Sequence, residues 1–240
     1  MAVICGVSVA NLYYIQPLEA QIAASFHVSQ NAAGIAAMLT QIGYALGLLL
    51  FVPLGDMAER RSVILRMLVL VAASLLAVGL SPSYAVLLAA MFAVGLTTIV
   101  PQLIVPYAAQ LSRPEEPGRT IGDVMSGLLI GILLSRAFSG LVGSALGWRT
   151  VYLVAAGLIL ILAAVIRCIF PKSESHAGMS YTSLLKSIPV LAKSQRPLRE
   201  SALNGFFMFG SFSAFWTSLI FLLETPHYNM GAREAGLFGF

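Results

Sequence analysis

Residues 34–47 read GIAAMLTQIGYALG and residues 118–131 read GRTIGDVMSGLLIG. One glycine spacing, G-x8-G-x3-G, falls at Gly34, Gly43 and Gly47 and again at Gly118, Gly127 and Gly131, each time inside a long apolar run. Two copies of one membrane helix imply a duplicated fold. The composition supports the setting: 58% of residues are hydrophobic and 10% charged, against about 25% charged in an ordinary soluble domain. About 20 apolar residues in a helix cross the hydrocarbon layer. Runs of that kind are predicted at 1–20, 31–53, 62–80, 84–110, 121–142, 150–170 and 201–223, with an eighth beginning near Ala235.

Soluble-type catalysis finds no footing. Cys5 and Cys168 fall inside predicted spans, where they read as small apolar packing residues. His27, His176 and His227 lie in three separate connections without ligand spacing, and HExxH, GxSxG and phosphate-cradling glycine loops are absent. No metal, cofactor or nucleic-acid partner is expected. Ser8-Val9-Ala10 mimics a signal-peptidase site, but the basic n-region of a signal peptide is missing.

Lys and Arg concentrate in short cytoplasmic loops. With the N-terminus inside, that side holds Arg60, Arg61, Arg66, Arg113, Arg119, Arg167, Lys172, Lys186, Lys193, Arg196 and Arg199, the outer side only Arg149 and Arg233, and the membrane Arg136. A seven-helix receptor, whose N-terminus is outside, would carry this basic set on the wrong face. The expected location is a plasma membrane, most simply a bacterial inner membrane.

Internal repetition follows the glycines. Ile15 to Ile22 resembles Ile104 to Leu111 at an offset of 89, the glycine pattern repeats at 84, and Arg61-Ser62-Val63 matches Arg149-Thr150-Val151 at 88. Helices one to three and four to six therefore read as copies, 1–80 and 84–170. Three is odd, so the second copy enters the membrane upside down, as in secondary transporters built from inverted repeats. Residues 171–199 turn polar and read as a cytoplasmic linker between 1–170 and the segment 200–240. Leu184, Leu185, Ile188 and Leu191 beside Lys186 and Lys193 suggest a short amphipathic helix that Pro189 would break.

Glycines at i and i+4 let helix backbones approach, so Gly43 with Gly47 and Gly127 with Gly131 are expected at helix seams. Arg136, near mid-bilayer, costs about 2.5 to 3.5 kcal/mol on insertion scales. By helical angle it points off the glycine seam, which suits a polar cavity where it binds an anionic group of a solute or pairs with Glu19 or another acid. The alternative is that it snorkels to the outer surface. Asn11, Tyr14, Gln16, Gln41, Gln102 and Asn204 are polar within spans and should turn inward, toward cargo or a neighbouring helix. Phe206, Phe207, Phe212, Phe215 and Trp216 either line an apolar path or face lipid. Asp123 is expected to pair with Arg119, Arg60 or Arg61, and Glu19 to lie exposed at the outer end of its helix.

The connection 52–61 reads VPLGDMAERR. It resembles the G-x-L-x-D-R-x-G-R-R loop of the major facilitator superfamily, with Leu54, Asp56, Arg60 and Arg61 matching and Val52, Met57 and Glu59 departing. The fifth span is similar to the antiporter signature of the drug-exporting branch, G-x8-G-x3-G-P-x2-G-G, at Gly118, Gly127 and Gly131. There Ile132 replaces the proline, and Ser135 with Arg136 the paired glycines. The family's fourth-span arginine is Met91 here. The resemblance implies an all-α polytopic membrane protein with a six-helix half of two inverted three-helix repeats plus the start of a second half. It also implies alternating-access transport, with efflux of a small-molecule substrate through the lipid bilayer and protons as a candidate coupling ion. Asp56, Arg60 and Arg61 would then act as a gate latch. About five further spans would be needed after Phe240, so the chain reads as a truncated product, with a non-transporting membrane protein or subunit as the alternative.

Overall fold

The computed structural model describes residues 1–112, 116–170 and 180–223. Arg113, Lys172, Arg233, His176, His227 and the expected start of an eighth span at Ala235 lie outside them, as does the side chain of Asp56. Every regular element among the described residues is a helix. Among the described residues, five helices are long and apolar enough to cross a bilayer: Gln30–Phe51, Arg60–Gly79, Tyr84–Leu111, Gly118–Leu146 and Trp148–Ile169. By finer division these are α3 (Gln30–Phe51), α5 (Arg60–Gly79), α6 (Tyr84–Thr97) with α7 (Val100–Leu111), α8 (Pro117–Leu146) and α9 (Trp148–Ile169). Ahead of them lie α1 (Ala2–Ala10) and α2 (Glu19–Phe26), between α3 and α5 the single turn α4 (Leu54–Met57), and at the end α10 (Tyr181–Ser194) and α11 (Arg196–Leu223).

The first span, expected as one helix over 1–20, is broken. α1 stops at Ala10, residues 11–15 form turns, Gln16–Leu18 make one 3-10 turn, and α2 carries the chain on to Phe26. Pro17 accounts for the far end of the break, since its ring has no N–H to give and crowds the carbonyl of Tyr13, which instead accepts from Gln16 N at 3.3 Å; before it, Asn11, Leu12 and Tyr13 already bond three residues back, to Ser8, Val9 and Ala10. The fourth span breaks likewise. α6 ends at Thr97, and Pro101 opens α7. Thr98 closes the gap by donating its hydroxyl to Val94 O at 2.6 Å. The expected break at Pro189 does not occur: α10 runs through it from Tyr181 to Ser194.

Side-chain and backbone contacts give each helix pair its direction. Cβ atoms built on Gly43 and Gly47 of α3 would strike the backbone of Phe92 and Leu96 of α6, so the two run parallel. Gly127 and Gly131 of α8 meet Ala2 and Gly6 of α1 in the same way, and this pair is parallel too. By contrast α5 and α9 are antiparallel: Arg61, opening α5, donates to Arg167 O near the end of α9, and Arg149, opening α9, donates to Ser81 O beyond the end of α5 at 3.2 Å. In a chain that alternates direction, α8 can run with α1 only if the second three-helix unit is inverted relative to the first.

The arginine clasps are matched, but not equal. Arg149 also lies over the rings of Trp148 and Phe26, 4.3 and 5.4 Å from their centroids. We expect Arg61→Ala to cost about 0.5 to 1.5 kcal/mol for one lost hydrogen bond and Arg149→Ala about 0.5 to 1 kcal/mol more for its ring contacts. Thermal melting of the purified protein checks the order. Because the clasps sit at opposite ends of the pair, the double variant should melt as the sum of the two.

The core is built from the inward faces: Ile64, Leu68, Leu75, Leu87, Met91, Ile104, Tyr152 and Ile159 are fully buried. Outward faces stay apolar, as Ile35, Met38, Ile42 and Leu46 of α3 illustrate at helical spacing. An apolar exterior is what hydrocarbon requires. Gly147, at φ 85° and ψ 155°, makes the one-residue turn between α8 and α9 in a conformation that glycine alone adopts readily.

Candidate functional site

The glycine pattern divides in the structure. Nothing lies within 4 Å of a Cβ placed on Gly34 or Gly118, so the first glycine of each copy is not at a seam. Gly118 thereby differs from Gly127 and Gly131, with which the signature groups it. The seams have glycine on the partner side as well: Gly95 of α6 faces the backbone of Thr40 and Tyr44, and Gly6 of α1 faces Gly127, whose O would lie 2.6 Å from its Cβ. Gly6 and Gly95 are 89 positions apart, the offset of the first and fourth spans. Sequence reasoning missed both as seam partners, although that offset would have paired them.

At the loop between α3 and α5, α4 holds Leu54 half-buried and carries the backbone of Asp56. Glu59 opens α5 as its N-cap, accepting from Ser62 N at 3.1 Å. Where the family has a glycine, this chain therefore gains a helix cap. Arg60 Nε donates to Gly55 O at 3.0 Å and its Nη1 to Gln110 Oε1, tying the loop to itself and to the end of α7. Arg61 donates to the Arg167 carbonyl of α9 as described.

Arg136 is 2% exposed, which removes the snorkelling alternative. It lies about 15 Å of helix short of Leu146. Nε donates to Gln16 Oε1 at 2.8 Å. The guanidinium lies over Trp216, Phe212 and Tyr13 at 4.1, 5.4 and 5.2 Å from their ring centroids. Nη2 is buried with no hydrogen-bond partner, and Arg136 forms no ion pair among the described residues, Glu19 included. Although its Cα lies off the glycine line, the long side chain reaches the same first span that Gly131 touches.

Other candidates scatter. Asn11, at the break of the first span, is 1% exposed, and neither its Oδ1 nor its Nδ2 has a partner among the described residues. Tyr14 is buried and packs its ring 5.6 Å from that of Phe138. Gln102 turns to Tyr44, donating Nε2 to its hydroxyl at 3.1 Å. Gln41 is half-buried, and Asn204 is exposed on α11. Phe206, Phe207 and Phe215 are exposed, while Trp216 and Phe212 turn to Arg136.

Two acids depart from expectation. Glu19 is buried, 8% exposed, because the first span continues past it as α2 instead of ending at a surface. Asp123 is exposed and makes no ion pair among the described residues; Arg119 turns to Glu116 instead, at 3.9 Å. No group of three or more metal-ligating side chains comes together among the described residues. What the arrangement brings together is Arg136, Gln16 and three aromatic rings, beside an interrupted helix with an unsatisfied Asn11.

The sequence pattern of the Major Facilitator Superfamily matches residues 1–240. The chain belongs to that superfamily. It is 41% identical over 237 residues to the uncharacterized transporter YgaY of Escherichia coli O157:H7, covering 99% of this chain and 60% of that protein. It is 34% identical over 240 residues to the probable transporter SCO4007 of Streptomyces coelicolor, covering 100% and 56%. Its fold matches the crystal structure of a bacterial homolog of the human lysosomal transporter Spinster, inward-facing and unoccupied, with a TM-score of 0.71 at 16% identity, over 98% of this chain and 56% of that one. The chain thus spans a little over half the length of the relatives it matches. It is a multi-pass membrane protein of a transporter family.

Proposed function

We propose that this superfamily member is a secondary transporter that moves a small organic solute by alternating access. The observation that carries the reading is the pair of broken helices. In hydrocarbon an interrupted backbone is tolerated where it lines a cavity, and transporters place their substrate sites at such discontinuities. Here the first and fourth spans break at nearly equivalent positions, and at the first break Gln16 bonds Arg136. Asn11, Tyr14, Gln16 and Arg136 are the cargo side of the site, with Gln102 and Asn204 as outlying members.

The finer reading is efflux from the cytosol of a bacterium, by a protein with its N-terminus inside and with protons as coupling ion. The glycines of the fifth span support efflux by resemblance to the drug-exporter signature. Units 1–80 and 84–170 make one half, 171–199 the connection, and 200–240 the opening of the next half. Leu54, Asp56, Arg60 and Arg61 latch the cytoplasmic end. Arg60 already ties this loop to Gln110, so a gate there works by making and breaking a few polar contacts.

Proteoliposomes with an imposed pH gradient test the reading. Solute-dependent or pH-driven flux is expected, and correctly inserted protein without it favours a non-transporting membrane subunit. Asp56→Asn should lower flux about tenfold, the equivalent of one charge-assisted hydrogen bond, at unchanged membrane insertion. Normal flux at normal expression would remove Asp56 from the latch.

A further inference from the structure

Arg136 is a buried cation whose surroundings satisfy only part of it. Its faces lie among Trp216, Phe212 and Tyr13, its Nε is bonded to Gln16, and Nη2 is buried with nothing to bond. A guanidinium presents five donors in a planar fork, and stacking on rings leaves the in-plane edge unused. The natural complement of that edge is a carboxylate, which takes two N–H groups at once and neutralises one charge. Among the described residues no carboxylate does so.

The walls narrow the ligand further. Three aromatic rings around the cation suit a flat or apolar body, whereas a highly hydrated dianion such as inorganic phosphate would lose its water to a surface offering few donors. We infer that Arg136, Gln16 and Trp216 form a binding site for an organic monocarboxylate, the carboxylate on the free edge of Arg136 and the apolar part against the rings. The inference rests on the transport reading and names the substrate class of that same site.

Trp216 reports on it directly, being one of two tryptophans in the chain. Purified full-length protein in detergent is titrated with benzoate, with neutral benzamide and with inorganic phosphate while tryptophan emission is followed, and Trp216→Phe identifies the part of the signal that belongs to the site. Expected is a saturable change with benzoate, binding about tenfold or more weaker for benzamide, and no competition by phosphate. Arg136→Lys, which keeps the charge but not the fork, should weaken benzoate about tenfold, and Arg136→Leu should abolish the response. Where the leucine variant does not fold, Arg136→Lys and Arg136→Gln carry the test.

Equal responses to benzoate and benzamide, or a benzoate response indifferent to Arg136, would overturn the inference. So would the absence of any benzoate binding. Competition by phosphate as strong as by other carboxylates would overturn the carboxylate assignment. Flux in proteoliposomes separates this from the transport reading: benzoate binding without flux of benzoate or any other solute defeats transport and leaves the anion site. Flux of neutral or cationic solutes independent of Arg136 does the reverse.

Discussion

Gly95→Val and Gly131→Val are each expected to leave little folded protein in the membrane. At both positions the added atoms would meet backbone, Thr40 O for Gly95 and the Gly6 backbone for Gly131. A flexible side chain can turn aside, but a packed helix backbone cannot. Overfilling a packed interior costs about 1 to 3 kcal/mol and occasionally more, and two helices that must separate along a whole seam fall at the upper end or beyond it. That is a large share of the roughly 5 to 15 kcal/mol that holds a typical domain together. Even Gly95→Ala and Gly131→Ala should depress the melting temperature clearly. Gly118→Ala and Gly157→Ala, which have open space, should stay within about 0.5 kcal/mol of the parent protein. Melting temperature and the yield of monodisperse protein measure the contrast. If the alanine variants at Gly95 and Gly118 melt alike, the close seams do not exist.

The second large effect belongs to Gln16. Gln16→Leu removes the one hydrogen bond that the Arg136 side chain makes among the described residues and leaves the guanidinium buried. A hydrogen bond to a charged group contributes about 1.5 to 3 kcal/mol, and an abandoned buried donor costs its desolvation besides. We expect a loss of about 2 to 3 kcal/mol. Pairing it with Arg136→Met should recover much of that loss, because the stranded cation is gone. The double-variant cycle reads the coupling directly. A double variant less stable than Gln16→Leu alone would show that Arg136 stabilises the bundle through its rings and not through Gln16.

Much of the membrane architecture was legible from apolar runs and turn chemistry, because crossing hydrocarbon leaves a composition that no soluble domain shares. The three repeat offsets and the VPLGDMAERR connection pointed to an inverted duplication of the superfamily type, and the helix directions in the structure agree. The broken spans were less legible. Pro17 and Pro101 mark them, yet proline also sits inside the continuous helices α7 and α10, at Pro106 and Pro189. Proline alone therefore does not say where a helix stops.

The candidate site was legible only as a set of suspects. A polar residue in a span must turn inward, but the sequence does not say toward what, so Asn11, Gln102 and Asn204 looked alike before they came to lie in a sealed interior, against Tyr44 and on an open face. Asp123 and Glu19 were misjudged for the same reason. Spacing along one helix predicts partners three and four residues away, whereas their surroundings depend on how far the neighbouring helix extends.

The chain's own order of residues determined that it is a membrane protein made of a repeated three-helix unit, since hydrophobicity, charge bias and periodicity are properties of the line itself. Which glycines touch, which arginines clasp opposite helix ends, and that Arg136 faces Gln16 and Trp216, were decided only in three dimensions. Contacts between residues as distant as Gly6 and Gly131, or Gln16 and Arg136, depend on helix rotation and register. Those are set jointly by all the packed neighbours, and no local stretch encodes them.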